Sequence, residues 1–219
     1  MALTLYAHPF SAFCQKVLVA LHETGTPFAL RHVDLFREED AAALAALWPF
    51  RKFPVLVDGG LVVPESSIII EHLDRRQAGP ARLIPADPDL AREARLIDRV
   101  MDLHLLAPMQ RIVFDALREA TQRDPLGVAE ARGTLRTAYA WLEQRLAGRC
   151  WATGETFSLA DCAAAPGLFF ADWTEPIPDA CPGLRAYRAR LLARPSVAQV
   201  VDGARPYRHF FPLGDPGRD

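Results

Sequence analysis

The chain has 219 residues, half of them apolar, and a formal net charge of −2. This length and composition supply a sizeable core and allow either one large domain or two small ones. The near balance of charge, without a basic run, excludes a nucleic-acid footprint. Because the sequence shows no membrane-length apolar stretch and no signal-peptide pattern, we expect a cytoplasmic protein with no membrane or nucleic-acid partner.

The four cysteines form neither a CxxC pair nor the Cys/His spacing of a zinc site. Free thiols in a reducing compartment are therefore expected, without a structural metal ion. The cysteines are Cys14, Cys150, Cys162 and Cys181.

The first third of the sequence alternates short apolar runs with helical patterns, as βα units do. The predicted elements are a strand Leu3–Ala7, a helix ended by Gly25 and Pro27, a strand Phe28–Asp34, a helix Glu38–Leu47, strands Pro54–Val57 and Leu61–Val63, and a helix carrying Ile68 to Leu73. The two glycines after Asp58 suit a tight hairpin, because they adopt positive φ angles readily. The order βαβ followed by ββα predicts a thioredoxin-like domain with a mixed sheet.

In the first predicted helix, Phe13 and Val17 begin an apolar stripe at a spacing of four residues. The same pattern places Gln15, Lys16 and Glu23 on a face pointing away from that stripe. We therefore expect these three side chains on the outside of the helix.

The second half of the sequence has only helical periodicity, which predicts an all-α domain. Prolines and glycine between Arg75 and Asp89 predict a linker, so the expected boundaries are 1–78 for the first domain, 79–88 for the linker and 89–219 for the helical domain. Pro108 is expected to kink or break the helix that contains it. The predicted helical stretches are Leu90–Leu105, Phe114–Leu117, Val128–Leu146, Ser158–Asp172, Leu184–Leu192 and Val197–Gly203.

Four short motifs, spread over nearly the whole chain, occur together. They are Ala7-His8-Pro9-Phe10-Ser11, Lys52-Phe53-Pro54-Val55, Pro64-Glu65-Ser66-Ser67 and Thr156-Phe157-Ser158-Leu159-Ala160-Asp161. Each motif is weak alone, but the combination resembles the cytosolic glutathione S-transferases, and among them the serine-type branch. The resemblance implies glutathione as co-substrate, a small apolar electrophile as second substrate, and a homodimer.

The resemblance places glutathione on the first domain. Ser66, at a helix N-terminus, would bind the γ-glutamyl carboxylate there, and Glu65 would face the α-ammonium group. Pro54 would follow a cis peptide bond, so that the backbone of Phe53 pairs with the cysteinyl part of the tripeptide. Lys52 would bind a glutathione carboxylate. The residues alone favour a plain N-cap for Ser66, and they leave open a solvated charge for Lys52.

Ser11 is the residue that the resemblance assigns to catalysis. Its hydroxyl, at the start of a helix, would donate a hydrogen bond to the glutathione sulfur and favour the thiolate. Tyr6 is a rival, since it lies near the place of the activating hydroxyl in the tyrosine-type branch, although the residue itself favours a core aromatic role. Cys14 follows Ser11 at the spacing of a CxxC redox motif, but a serine at the first position cannot form a disulfide with it.

The predicted electrophile pocket consists of mainly apolar side chains from both domains, any of which can also be core. These residues are Phe10, Met101, His104, Leu105, Phe114 and Trp173.

The sequence therefore predicts an enzyme that activates the glutathione thiol for attack on an apolar electrophile. Two alternatives stay open: a glutathione-binding or protein-interaction module without turnover, and a thiol reductase dependent on Cys14. The pattern does not identify the electrophile.

Overall fold

The computed structural model describes residues 3–76 and 82–219. Its N-terminal part is built on a four-stranded sheet in the order β2-β1-β3-β4. The strands are β1 (Leu3–Ala7), β2 (Phe28–His32), β3 (Val55–Asp58) and β4 (Leu61–Pro64). β1 is parallel to β2 and antiparallel to β3, and β3 is antiparallel to β4. This mixed sheet confirms the predicted thioredoxin-like fold.

Helices cover both faces of the sheet because side chains alternate along a strand. In β1, Leu5 and Ala7 are buried in the main core together with side chains of α1 (Ala12–Glu23) and α3 (Ser66–Arg76). Tyr6 points to the other face, where it packs near α2 (Glu38–Leu47). The candidate site residues after β1 and before β3 thus lie on a sheet that is covered on both faces.

The turn between β3 and β4 has the conformation that its glycines predict. Asp58 pairs with Leu61, so Gly59 and Gly60 alone form the loop. Their φ angles are +54° and +98°, as a two-residue hairpin turn requires. The turn fixes the register that brings Pro64 opposite Val55.

The C-terminal part is helical, as predicted, and α7 lies at its centre with every residue buried. α7 also packs against α1, which joins the two parts of the molecule. None of the described helices is long and apolar enough to cross a membrane. The helices are α4 (Pro88–Val100), α5 (Ala107–Ala116), α6 (Pro125–Arg145), α7 (Leu159–Thr174), α8 (Pro182–Leu192) and α9 (Pro195–Ala204), with a π-helical turn at Met101–Leu106 and 3₁₀ segments at Ala120–Gln122 and Arg205–Phe210.

Pro108 does not break its helix. The π-helical turn connects α4 directly to α5, and Pro108 lies in the first turn of α5. Within the π-helical turn the Ala107 N–H donates to the carbonyl of Asp102, five residues back. A proline cannot donate a backbone hydrogen bond and clashes with the regular α-helical turn before it, so a widened turn at this point accommodates it.

The predicted linker 79–88 lies partly outside the described residues, which resume at 82. Its described part is tied to α3, because Leu83 N–H donates to the Asp74 carboxylate at 2.7 Å and Arg82 forms an ion pair with the same group. Pro88 already belongs to α4, whose N-cap is Asp87. The domain boundaries themselves stay a prediction.

We expected Gln15, Lys16 and Glu23 on the outside of α1, and this expectation is wrong for the first two. Lys16 is completely buried and Gln15 is 2% exposed. The reason is that α1 lies between the sheet and the C-terminal helices α7 and α9, so it has no fully solvated side. Glu23 is half-buried and binds Arg194 and Ser196 of the C-terminal part.

Candidate functional site

Ser11 is the N-cap of α1, at the end of the loop that leaves β1. Its backbone N–H donates to the His8 carbonyl at 3.0 Å, and its hydroxyl oxygen accepts from the Cys14 N–H at a long 3.4 Å. The residue is partly exposed. Because the hydroxyl oxygen is the acceptor in this bond, its own proton is not used in it and can be donated to a group outside the chain.

Cys14 lies one turn into α1, with its thiol enclosed by the core. Burial raises the pKa of Cys14 to about 12, against the hydrogen bonds from Ser11 and the His8 backbone that favour the thiolate. At neutral pH the thiol is therefore protonated and unreactive. All four cysteines are free, as expected.

Tyr6 packs in a small cluster on the α2 side of the sheet. Its ring is partly buried against Val33, Leu44 and Val55. Ser11 begins α1, which covers the opposite face. The two rival hydroxyl groups thus start from different faces of the sheet, and the packing of Tyr6 is that of a core aromatic residue.

The Phe53–Pro54 peptide bond is cis, as the resemblance implies. Pro54 is buried and Phe53 partly buried, whereas Lys52 is exposed. Because Tyr6 pairs with Val55, Pro54 lies beside the end of β1 that leads to Ser11. The structure thus brings the second motif next to the first.

The third motif, Pro64-Glu65-Ser66-Ser67, lies at the same edge of the sheet as the first two. Pro64 pairs with Val55, so Glu65 and Ser66 follow directly beside Pro54. Ser66 is buried at the first position of α3, a helix with no acidic residue in its first turn. Glu65 is exposed and adopts φ +69°, a conformation that costs energy for a residue other than glycine. Such local strain concentrates at functional sites.

A buried charge network that the sequence reasoning missed lies behind α3. The Lys16 ammonium donates to the Ser67 hydroxyl at 2.9 Å and forms ion pairs with Asp98 and Asp102. The Ser67 hydroxyl in turn donates to Asp98 at 2.7 Å. One ammonium group thereby joins α1 and α3 to α4 and the π-helical turn.

The network carries two carboxylates for one buried ammonium. Burial raises the pKa of Asp102, while the charge of Lys16 opposes that rise and Asp98 adds to it. Arg99, half exposed, adds a second cation at 3.5 Å from Asp102. The signal in the sequence was the rarity of lysine, since Lys16 and Lys52 are the only two in the chain.

The predicted electrophile-pocket residues fall into three groups. Phe10 meets Trp173 and Phe170, with ring centroids 6.4 and 5.3 Å apart. Met101 and Leu105 are fully buried, and Met101 packs under Gly167 of α7. The remaining two, His104 and Phe114, are exposed on the π-helical turn and on α5. Of the predicted set, only Phe10 and Trp173 are brought together by a ring contact among the described residues.

A second aromatic group beside Ser11 was also missed. His8, in the loop before Ser11, lies 5.0 Å from His32 and 4.8 Å from Tyr207 between ring centroids. Tyr207 belongs to the 3₁₀ segment near the C-terminus. His32 is 24 positions from His8 in the sequence and Tyr207 is 199 positions from it, so only the fold brings these residues together.

The edge formed by the ends of β1 and β4, the start of β3 and the starts of α1 and α3 can bind an anion and a thiol side by side. Two helix N-termini point their N–H groups there, and both serine motifs lie at those ends. Within residues 3–76 and 82–219 no cluster of three or more His, Cys, Asp or Glu side chains is arranged to hold a metal ion.

Comparison with known proteins agrees with this geometry. Residues 5–81 match the family described as "Glutathione S-transferase, N-terminal domain", and residues 112–190 match "Glutathione S-transferase, C-terminal domain". The chain is 29% identical over 211 residues to glutathione S-transferase U25 of Arabidopsis thaliana, covering 92% of this chain and 90% of that protein.

Two further relatives show the range of the group. A Coxiella burnetii homologue of stringent starvation protein A is 27% identical over 76% of this chain and 75% of its own length. A crystal structure of a glutathione S-transferase from Methylobacterium radiotolerans, in complex with glutathione sulfonate, is 29% identical, with a TM-score of 0.81 over 92% of this chain and 95% of that one. With both family domains matched in order on the fold described above, the chain belongs to the glutathione S-transferase family.

Proposed function

We propose that this protein is a glutathione transferase. It binds glutathione on the N-terminal domain, beside the starts of α1 and α3, and the glutathione thiolate attacks an apolar electrophile. The observation that carries the proposal is the start of α3. Glu65 is held at φ +69° directly before Ser66, at a helix end that has no acidic residue in its own first turn. An external carboxylate suits that helix end, and the Glu65 carboxylate suits an ammonium group beside it.

In this proposal Ser11 activates the thiol. The hydroxyl donates to the glutathione sulfur, and the N-terminus of α1 adds its partial positive charge, so both lower the pKa of the bound thiol. Phe53 and Lys52 bind the backbone and a carboxylate of the tripeptide. The relative from Methylobacterium radiotolerans, solved with glutathione sulfonate, supports the binding of a glutathione-like ligand by a protein of this fold.

The electrophile is proposed to bind between the two domains, with Phe10 and Trp173 as its apolar contacts. Their ring cluster starts only one residue before Ser11. His104 and Phe114 would extend this surface along the C-terminal helices, while Met101 and Leu105 would support it from the core. From the family resemblance, the protein is further proposed to be cytoplasmic and a homodimer.

A glutathione-binding module without turnover is the second candidate. The observation that favours it is the similarity to a stringent starvation protein A homologue, whose name describes no transferase. The thiol reductase is not proposed, because Cys14 is buried and its pKa is raised to about 12.

A screen of glutathione against halogenated aromatics, epoxides, enones and peroxides tests the proposal. We expect glutathione-dependent turnover of at least one class above the uncatalysed rate, and a solution mass near twice 24.3 kDa by light scattering. Tight glutathione binding by calorimetry with no turnover in any class would instead support the binding module.

A further inference from the structure

The C-terminal part of the molecule contains an open cavity of about 260 Å³, outside the edge proposed for glutathione. It lies between the end of α7, the loop that follows, α8 and the segment that carries Arg218. Three of its lining residues are arginines and one is acidic. The lining residues are Asp172, Pro176, Ile177, Arg185, Arg188 and Arg218. Positive charge therefore exceeds negative charge on this wall.

Arg188 is the buried cation of the cavity. It is 9% exposed, and its Nη2 makes no hydrogen bond to the described part of the chain. The Asp172 carboxylate lies 3.3 Å from that nitrogen atom, but Arg218 binds the same carboxylate oxygen. Burial lowers the pKa of Arg188, the charge of Asp172 opposes this, and Arg218 lowers the pKa further. Since buried polar atoms nearly always have a partner, this guanidinium is short of an acceptor.

Arg185 and Arg218 are the accessible cations. Their side chains are 49% and 44% exposed. Arg185 donates from Nε and Nη2 to the Ile177 carbonyl at 3.0 and 2.7 Å, which fixes it beside the loop that lines the cavity. Arg218 donates to the Asp172 backbone carbonyl at 3.0 Å. Because a guanidinium has five N–H groups, both side chains keep donors for a ligand besides these bonds.

The acidic residues near the cavity do not cancel its positive charge. On the wall itself, three arginines face one aspartate, Asp172, which leaves two positive charges. Asp179 pairs with Arg185 at 2.6 Å, but it is 95% exposed, so water and salt screen this pair. The carboxylate of Asp219 binds two arginines of the 3₁₀ segment Arg205–Phe210. The excess is thus available to an anion from outside.

We propose that this cavity is a second ligand site, which binds a small dianion whose charges lie on oxygen atoms, as in a phosphate monoester or a dicarboxylate. Two negative charges match the excess on the wall, and guanidinium groups bind such oxygen atoms with paired, charge-assisted hydrogen bonds. Pro176 and Ile177 supply an apolar part of the wall for the carbon atoms of the ligand. The proposal does not depend on the transferase function, because no lining residue belongs to the glutathione site.

Calorimetric titration of the full chain with sodium phosphate and with sodium succinate tests the proposal. The pH is mildly alkaline, so that both probes are dianions, and sodium chloride holds the ionic strength constant. We expect one dianion to bind per chain, with a Kd on the order of 1 mM or tighter for at least one probe. Tighter binding of phosphate would assign the site to a phosphate monoester, and tighter binding of succinate to a dicarboxylate.

Two variants should move the affinity in opposite directions. Arg218→Gln removes a half-exposed guanidinium and should weaken dianion binding about tenfold. Asp179→Asn removes the exposed carboxylate that competes for Arg185 and should strengthen binding about two- to threefold. Loss of folding cannot explain a variant that binds more tightly. Arg92→Gln makes the matched change at an exposed ion pair on α4 and should leave the affinity unchanged.

Ser66→Ala separates this cavity from the N-terminus of α3, where an anion could also bind. Dianion binding should be the same in Ser66→Ala as in the wild-type protein. The absence of saturable binding of both probes would overturn the proposal. Binding that is lost in Ser66→Ala and unchanged in Arg218→Gln would also overturn it, as would equal weakening in Arg218→Gln and Arg92→Gln.

Discussion

Two helices, α3 and α7, each have a serine at the N-terminus, but the groups around the two N-termini differ. At α7, Ser158 caps the helix and Asp161, fully buried, accepts from the Ser158 N–H, the Ala152 N–H and the Tyr187 hydroxyl at 2.6 to 2.9 Å. At α3, Ser66 begins the helix, the first turn has no acidic residue, and Glu65 before it is strained and exposed.

The difference indicates that the N-terminus of α7 has a structural role, whereas the N-terminus of α3 is available to a ligand. The chain itself supplies the carboxylate that the positive end of α7 attracts, so that end serves stability. The end of α3 has no such group from its own first turn, which leaves its N–H groups to a carboxylate from outside. The four predictions that follow can break or sharpen this contrast.

The largest effect is expected at α7. Asp161→Ala leaves two buried N–H groups and a buried hydroxyl without their acceptor, and each unsatisfied group costs about 1 to 3 kcal/mol. We expect the free energy of unfolding in urea to fall by about 3 kcal/mol or more. Ser66→Ala, which removes a hydroxyl at the start of α3, should alter stability by less than about 1 kcal/mol. Equal losses in the two variants would remove the contrast.

Glutathione affinity, unlike stability, should depend on the start of α3. Ser66→Ala and Glu65→Gln each remove one partner of a charged end of the tripeptide and should weaken binding by about 1 to 3 kcal/mol in calorimetry. Glu65→Gly relieves the positive φ but also removes the charge, so it should bind as weakly as Glu65→Gln. Unchanged affinity in Glu65→Gln would refute the placement of the ammonium group.

Ser11→Ala should separate activation of the thiol from binding. Without the hydroxyl donor the thiolate loses a charge-assisted hydrogen bond, so the pKa of bound glutathione should rise by about one to two units. A raised pKa means less thiolate at neutral pH, and the lost rate should return as the pH increases. The measurement is the thiolate absorbance of the bound tripeptide against pH.

Tyr6→Phe is the control for Ser11→Ala. Because Tyr6 packs with Val33, Leu44 and Val55, its loss of a hydroxyl should leave the titration unchanged. A shift in Tyr6→Phe together with a normal titration in Ser11→Ala would assign activation to the tyrosine.

The smallest effect is expected at Cys14. Burial outweighs the hydrogen bonds from Ser11 and the His8 backbone there and raises the pKa of Cys14 to about 12, so iodoacetamide at mildly alkaline pH should leave it unmodified. Cys150, which is less buried, should react first, as mass spectrometry of the folded protein can show. Cys14→Ala should retain transferase activity, whereas complete loss of activity in a folded Cys14→Ala protein would revive the thiol-reductase interpretation.

Local patterns predicted most of the fold. β1 and α2 begin and end where the sequence places them, since alternation and apolar spacing are properties of neighbouring residues. The capping box of α7 was also readable, because Ser158 and Asp161 are three positions apart. The predicted break at Pro108 is absent, because the turn before it widens, and a proline alone does not reveal that widening.

Contacts between distant segments were not predictable in the same way. Lys16 looked like an outer residue because nothing near it in sequence shows that α7 and α9 pack over α1. The meeting of His8 with Tyr207 depends on how the last helices return to the sheet. The electrophile side of the site is built mainly from such contacts, whereas the three short motifs of the glutathione side meet through strand register.

The Lys16 network limits how freely the two halves can be exchanged between relatives. A chimera that joined this N-terminal half to the helices of another family member would keep the buried ammonium but could lose Asp98 and Asp102. An unpaired charge at such a site costs about 3 to 5 kcal/mol, a large share of the stability of an ordinary domain. We therefore expect such a chimera to keep its stability only if Lys16 and its two aspartates are transferred together.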